Sequence, residues 1–551
     1  MKYKDNLRNI TLLFVLGTLF LGCGSSTTVL DDKKTDKEKM LEVKVETYLA
    51  SKTLPSLHIL PTLEDEDGEK DDSKATYTLT ANENVDVSVE TPNGSWKTSM
   101  WRYNNNPLPL IIRTNRGDKM TLKFHNKLGS DSTVHWHGFK IPADMDGGPD
   151  IPVQANQSKT YSFTMNQPAS SLWFHPHPDM QTGKQVYMGL AGVYIVEDDI
   201  SRTLELNKEL PSGDKDVVLL VQDRRFDDEK NGVRELLYKT NVMDADGMKG
   251  STVLVNGSVM PKFDVETTQY RFRLYNVSNA KTYDFAFSDG RKFKIVGTDG
   301  GLLNEPVEVD HIMLGAAERV ELIVDFSEEK LGDSVLLVSR PYQTDSMSMD
   351  MDENSEIDME ANGMGLTLMR FDIATEATDD VTLYRKLPAN AEIATRLDPK
   401  TASNIGATRK FIMTMYMGGM GEGMNGASGM NNDMTFVING KLFDPNRVDE
   451  FVTAGTTEIW EIENRSTMAH PFHAHAIQWQ ILDRNGVPAS GTDLGWKDTF
   501  LVQEGETVRI IGKFEAVNIG DYMYHCHILE HEDAGMMGYF RVGDSGNVTI
   551  K

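Results

Sequence analysis

Three stretches of this chain are variations on one strand. "RGDKMTLKFHN" ends at Asn126, "ETTQYRFRLYN" at Asn276 and "AGTTEIWEIEN" at Asn464, and each alternates apolar and polar residues before closing on asparagine. Each also has an upstream asparagine at a turn: Asn106, Asn256 and Asn439, lying 20, 20 and 25 residues earlier. Period-two alternation, bounded by Gly, Asn and Pro, continues over nearly everything from Ala75 onward, which is the pattern of half-buried strands. Recurrence on this scale predicts three copies of one β-domain. We place them at 75–200, 201–385 and 386–551, in an all-β fold.

What precedes the first copy reads differently. Lys2, Lys4 and Arg8 form a positive head, and Ile10 to Gly22 is an apolar run too short to span a bilayer, so 1–22 is read as a signal peptide. The junction "LFLGC" resembles a bacterial lipobox, with Phe20 where that pattern usually has leucine. The resemblance implies that Cys23 is diacylated. It points to a lipoprotein of the bacterial cell envelope that faces the periplasm from the outer membrane and touches membrane only through its lipid. Residues 23–74, with charge runs at Asp31–Lys39 and Glu64–Asp72, are read as an acidic, solvated tether. The net charge of −27, from 83 acidic against 56 basic residues, repels nucleic acid. Apart from Cys23 the only cysteine is Cys526, so no disulfide framework is available. A monomer is expected.

The repeat locates the histidines. Nine and eleven residues past the closing asparagine stand His135 and His137 in the first copy, and His473 and His475 in the third. The second copy has Phe285 and Phe287 there, so it reads as a spacer with a plugged site. Further along, "WFHPH" (Trp173 to His177) matches "MYHCH" (Met523 to His527), and Cys526 and Met536 replace Pro176 and Leu190. Ten of the 13 histidines fall in four clusters: His135/His137, His175/His177, His470/His473/His475 and His525/His527/His531. One H-x-H pair is ordinarily an accident of surface or core. Four pairs at matching positions in two distant domains imply a cluster of metals at an interface, unlike a structural zinc site closed by local spacing.

Cys526 narrows the metal. On a strand its sulfur points to one face and the flanking His525 and His527 to the other. Two histidines, one cysteine and a weak axial methionine form the blue-copper electron-transfer arrangement, and His470, Cys526, His531 and Met536 supply that set.

The motifs "HWHG", "WFHPH", "HPFHAH" and "HCHILEHEDAGMM" resemble the four copper-binding motifs of the multicopper oxidases, closest to the periplasmic copper-efflux type of cuprous oxidase, which is also laccase-like. With "DMDGGP" and "GLAGVYIVEDD" the similarity runs from roughly Leu54 to Val542. It implies three cupredoxin-like Greek-key β-barrel domains and four copper ions. The type 1 ion would be held by His470, Cys526, His531 and Met536, and the type 2 ion by His135 and His473. The type 3 pair would take His137, His175 and His527 on one ion and His177, His475 and His525 on the other. Electrons would pass from type 1 through Cys526 to His525 and His527, and O2 would be reduced to water. Glu532 and Asp146 match acidic residues that donate protons in the family. The chain departs from the family at Ala476, where glycine is usual.

Methionine points to the substrate. Met347–Met364 and Met413–Met434 together hold twelve of the 29 methionines and show neither helical nor strand periodicity, so a core role is not expected for them. Thioethers select Cu(I). In the resembling subgroup a methionine-rich insert feeds Cu(I) to type 1, and Met415 and Met468 match substrate-copper ligands there. The acidic partners do not match, since Ser466 and Met420 occupy their places. The expectation is an O2-dependent oxidase that converts Cu(I) to Cu(II) in copper tolerance. The alternatives are a broad laccase-like phenol oxidase or ferroxidase and, in another class, a non-enzymatic copper-sequestering protein.

Overall fold

A computed structural model describes residues 36–67, 73–240, 242–342, 363, 365–378, 381–416 and 434–544. The signal peptide, Cys23, residues 417–433 and, apart from Gly363, the methionine-rich segment at 347–364 lie outside the described residues.

Strands dominate, and they assemble into six sheets, two from each third of the chain. The strands that end on the closing asparagines, Lys119–Asn126, Gln269–Asn276 and Thr457–Asn464, hold the same place in each third. Each runs parallel to an earlier strand and antiparallel to a later one. The asparagine itself explains why the motif recurs. Asn126 donates from Nδ2 to the carbonyls of Ser130 and Val153 and accepts from Leu128 N. Asn276 bonds Lys281, Leu314 and Ser278 in the same manner, and Asn464 bonds Met468, Val502 and Ser466. One buried amide thus ties the end of a strand to the two loops that follow it, which satisfies backbone groups that no ladder reaches.

The upstream asparagine needs a correction in the first domain. Asn256 and Asn439 sit at positive φ, accept from Leu220 N and Ile412 N, and donate to the carbonyls of Val218 and Lys410. The residue that makes these bonds in the first domain, to Thr80 N and Thr78 O, is Asn104 and not Asn106. Three asparagines stand in a row there, and spacing alone does not distinguish them.

Each pair of sheets encloses its own apolar core. The second sheet of the first domain carries the strand His135–His137 beside Ser170–His175, with His135 opposite His175. In the third domain His470–Ala474 lies between Thr499–Val502 and Gly520–Cys526, with His473 opposite His525 and Phe472 opposite Cys526. Phe285 and Phe287, on Tyr283–Phe287 of the middle domain, are buried in that domain's own core.

The tether does not extend to residue 74. Asp36–Ala50 is an α-helix whose Leu41, Val45 and Tyr48 pack against Met260, Leu336 and Val338 of the middle domain. Arg370 closes its C-terminus by donating to the carbonyls of Tyr48 and Ser51. Beyond it, every third residue of "LPSLHIL" points inward: Leu54, Leu57 and Leu60 are all buried. That is the period of an extended three-residue helix. The backbone bridges to Lys262 in the second domain and Ile111 in the first, so this segment straps the two together. Charge dominates the composition here and conceals the apolar stripe at 41, 45 and 48.

A second correction concerns the methionines. Arg409–Tyr416 is a strand with alternating burial, and Met413 lies fully within the third core. It pairs with Thr435–Ile438, so the ends of the second methionine-rich segment form a hairpin stem.

Candidate metal centre

The fold brings all ten clustered histidines into two buried groups on either side of Cys526. The smaller group is His470, Cys526 and His531. His470 Nδ1 lies 3.3 Å from the Cys526 Sγ and His531 Nδ1 3.7 Å from it. Met536 is buried in the same core cluster and turns its carbonyl to Cys526 N. Ser466 decides the tautomer of His470. Its single proton is claimed by Asn464 Oδ1 or the Met468 carbonyl, so at 2.6 Å it accepts from His470 Nε2. Nδ1 then presents a lone pair beside the thiol. Phe436 stacks on His531 at 3.8 Å between ring centroids. Burial pushes the Cys526 thiol up and His470 down to about 3, so these are neutral groups that a cation would convert into thiolate and imidazole ligands.

The larger group joins His135, His137, His175 and His177 of the first domain to His473, His475, His525 and His527 of the third. Most of these rings are fixed through Nδ1. His135 donates to the Asp146 carbonyl, His175 to Pro176, His473 to Asp498, His525 to Cys526, and His475 to the Asp146 carboxylate at 2.7 Å. Nε2 of His475 and His525 must then be lone pairs, yet they face each other at 3.2 Å, and His177 Nε2 lies 3.4 Å from His525 Nε2. Lone pairs packed so closely in a dry interior repel unless a cation sits among them. Nε2 of His135, His175 and His473 and both nitrogens of His527 are buried without a protein partner. Such unpaired buried nitrogens are costly in any protein that leaves them so. Burial, with neighbouring histidines, holds His137, His175, His177, His473, His475 and His527 well below the ordinary histidine value, which is the neutral state that binds metal.

Three different family models, each described as multicopper oxidase, match residues 84–201, 215–354 and 422–546. The multicopper oxidase mco of Staphylococcus aureus is 33% identical over 444 residues, covering 80% of this chain and 83% of its own. The chain belongs to the multicopper oxidase family. The crystal structure of a laccase from Pediococcus acidilactici superposes with TM-score 0.72 at 32% identity, over 89% of this chain and 94% of that one. A Campylobacter jejuni multicopper oxidase, described as a metallo-oxidase, gives 0.71 at 30%, over 90% and 97%. The protein is therefore an oxidoreductase of cupredoxin-like domains. Membership implies copper, and the donors fit it: two imidazoles with a thiolate on one side of Cys526 and an all-imidazole cluster on the other.

The two carboxylates anticipated as proton donors both reach this multicopper oxidase's histidine cluster. Glu532 lies 3.4 Å from His177 Nδ1 and 3.1 Å from His525 Nδ1 and is fully buried. Burial, with Asp533 beside it, drives its carboxyl well above the usual range, toward the protonated form that can donate. Asp146 ends a short helix, Ala143–Asp146, and Gly147 follows at φ 79, where a Cβ would collide with the Val134 carbonyl. That close approach is what "DMDGGP" provides for. Ala476, in the family's glycine place, also stands at positive φ, 61°, a conformation that favours glycine. Met468 is nearly buried at the small group, and Met415 packs half-buried against the same core.

Sequence reasoning missed Asp498, Arg319, Phe436 and the hydrogen-bonding role of Ser466. The middle domain is more than a spacer. Its Arg319 forms two hydrogen bonds with Asp498, of 2.6 and 2.7 Å, and Asp498 in turn holds His137 Nε2 at 3.0 Å.

Proposed function

We propose that this chain is a cuprous oxidase that binds four copper ions, protects against copper and couples four one-electron oxidations of Cu(I) to the reduction of O2, with four protons, to two waters. The type 1 ligands are His470, Cys526, His531 and Met536. His135 and His473 hold the type 2 ion, and the six remaining histidines hold the type 3 pair as His137/His175/His527 and His177/His475/His525. When bound, copper supplies the electron acceptor at the thiolate and the site of O2 reduction at the eight imidazoles. The chain supplies the connection, since Cys526 is one peptide bond from His525 and from His527. Glu532 and Asp146 are the acidic groups through which the protons that O2 reduction consumes reach the cluster.

The observation that carries the substrate is where the methionine-rich segments are rooted. The hairpin stem of the second sets Met415 opposite Phe436, which stacks on the type 1 ligand His531. The first emerges beside Tyr342, whose hydroxyl donates to the Thr282 carbonyl. Two residues before Thr282, Ala280 packs in the same cluster as Cys526 and Met536. The second segment is therefore rooted beside the electron entry point and the first on the middle domain, one hydrogen bond from Thr282, and soft thioethers select Cu(I). A phenol or Fe(II) would have no use for them.

Replacing both segments by Gly/Ser linkers of equal length tests this, with O2 uptake measured on Cu(I) and on a phenol. For the second segment the replacement spares the stem and covers 417–433. Cu(I) oxidation at low substrate is expected to fall about tenfold or more while phenol oxidation holds or rises, because loops tolerate such exchange. If both activities fall together, the segments are structural. If neither moves, the cuprous reading fails.

We further propose that Cys23 is acylated and anchors the enzyme in the envelope, facing the periplasm. The 12 residues between Cys23 and the helix at Asp36 reach at most about 45 Å when extended. That holds the enzyme close to the membrane. Two or more acyl chains anchor stably where one does not. Cys23→Ser is expected to move the protein to the soluble fraction or block its maturation, and unchanged membrane partitioning would end the lipoprotein reading.

A further inference from the structure

His137 is turned the opposite way from its neighbours. His135, His175, His473, His475 and His525 are anchored through Nδ1, whereas His137 is held through Nε2, 3.0 Å from Asp498 Oδ1 and 2.9 Å from Thr499 Oγ1. Its Nδ1 is buried and has no protein partner. A carboxylate only accepts, so Asp498 requires a proton on Nε2 and leaves the lone pair on Nδ1. The reverse tautomer would bury an N–H with nothing to receive it.

Asp498 keeps that orientation because its carboxylate is clamped from the other side. It is fully buried, and both of its oxygens accept from Arg319, so each is held as an acceptor in a fixed direction. The clamp comes from the middle domain. Arg319 is also buried, and its guanidinium is fully committed. Nη1 and Nη2 each bond one Asp498 oxygen, Nε bonds the Ser171 carbonyl of the first domain, and the remaining protons reach the carbonyls of Ala317 and Asp299. Gln478 adds a bond to Asp498 Oδ2, and Asp498 packs directly over Gly138, where a Cβ would lie only 2.2 Å from Oδ2. Asp498, His137 and His473 also offer potential ligand atoms within 4.8 Å of one another. With both oxygens already bound by Arg319, Asp498 is a support for the cluster and not a ligand in it.

Resting on the copper reading above, we propose that Arg319 is the positioning residue that decides, through Asp498, which imidazole nitrogen His137 presents to the copper cluster. The domain without copper ligands thereby controls the assembly of a site built by the other two. A cation from the second domain must be in place before a histidine of the first, held by a carboxylate of the third, offers the correct lone pair. Loss of such an outer hydrogen bond characteristically costs 10–100-fold in metal affinity.

The test is copper retention by the loaded enzyme under chelator titration, followed by metal analysis and by the separate spectra of the blue and cluster coppers. Asp498→Asn keeps the shape but can donate to Nε2, which permits the wrong tautomer. It is expected to lose cluster copper at a 10–100-fold lower chelator concentration while the blue absorption persists. Arg319→Lys keeps the charge and is expected to stay within a few-fold of wild type. The double variant Arg319→Gln/Asp498→Asn separates tautomer control from mere clamping, because it is neutral and can still form hydrogen bonds between domains. Weak cluster binding in the double variant supports the proposal. Wild-type retention in it overturns the proposal, even if Asp498→Asn alone fails to fold. A wild-type chain that stays blue and fully loaded keeps the copper reading intact whichever way the variants fall, whereas one that binds no copper would end both.

Discussion

Cys526→Ser is expected to give a folded, colourless chain with no measurable oxidase turnover. The exchange removes the thiol sulfur that His470 and His531 share, and it does so at a position with no exposure. Serine fills nearly the same volume, and Ile528 N, which now donates to the sulfur, can donate to the hydroxyl. The fold should therefore lose no more than about 1–3 kcal/mol, the cost of a perturbed buried polar group. The hydroxyl will not ionise as a thiol does, so the charge-transfer colour has no origin. Electron entry stops with it, and the histidine cluster is left intact but unsupplied. Absorption, circular dichroism and O2 uptake on one preparation check the three parts together. A variant that remains blue, or turns over Cu(I) at a measurable fraction of the wild-type rate, would show that another group holds the type 1 ion.

Glu532→Gln should have the next largest effect, of a different kind. The amide matches the carboxyl in shape and can stay between His177 and His525, but it has no proton to give. Loss of a positioned proton donor costs about 10²–10⁴-fold in rate. Oxidation of substrate at Cys526 does not need this proton, whereas O2 reduction does. The variant should therefore load copper normally, accept electrons at the wild-type rate, and bleach under turnover because re-oxidation lags. Stopped-flow absorption with substrate and O2 mixed in sequence separates the halves. Re-oxidation within about threefold of wild type would remove Glu532 from the proton path and leave Asp146, which bonds His475, as the principal donor.

Much of this was legible in the residues because the chemistry repeats. Each closing asparagine makes the same bonds in its own domain, and the histidine pairs stand at fixed offsets from it. What escaped was what does not repeat. Arg319 and Asp498 are single residues in unrelated contexts, and only the closure of three domains around them gives them a role. Phe436 is one aromatic in an apolar strand until its ring meets His531. Ser466 was visible as a departure from an acidic pattern, but its grip on His470 depends on where Asn464 and the Met468 carbonyl place its proton. The helix at Asp36–Ala50 and the strand end at Met413 were lost to composition, where charge in one case and methionine content in the other outweighed a short apolar period.

The most direct test of the central claim is to count copper per folded chain in the purified, copper-loaded protein while recording its absorption and electron paramagnetic resonance spectra. Four ions per chain are predicted. One should give the intense thiolate colour, one a normal paramagnetic signal without colour, and two should be silent as a coupled pair. A single ion, no blue absorption, or a full complement of copper that does not consume O2 when Cu(I) is supplied would contradict the account.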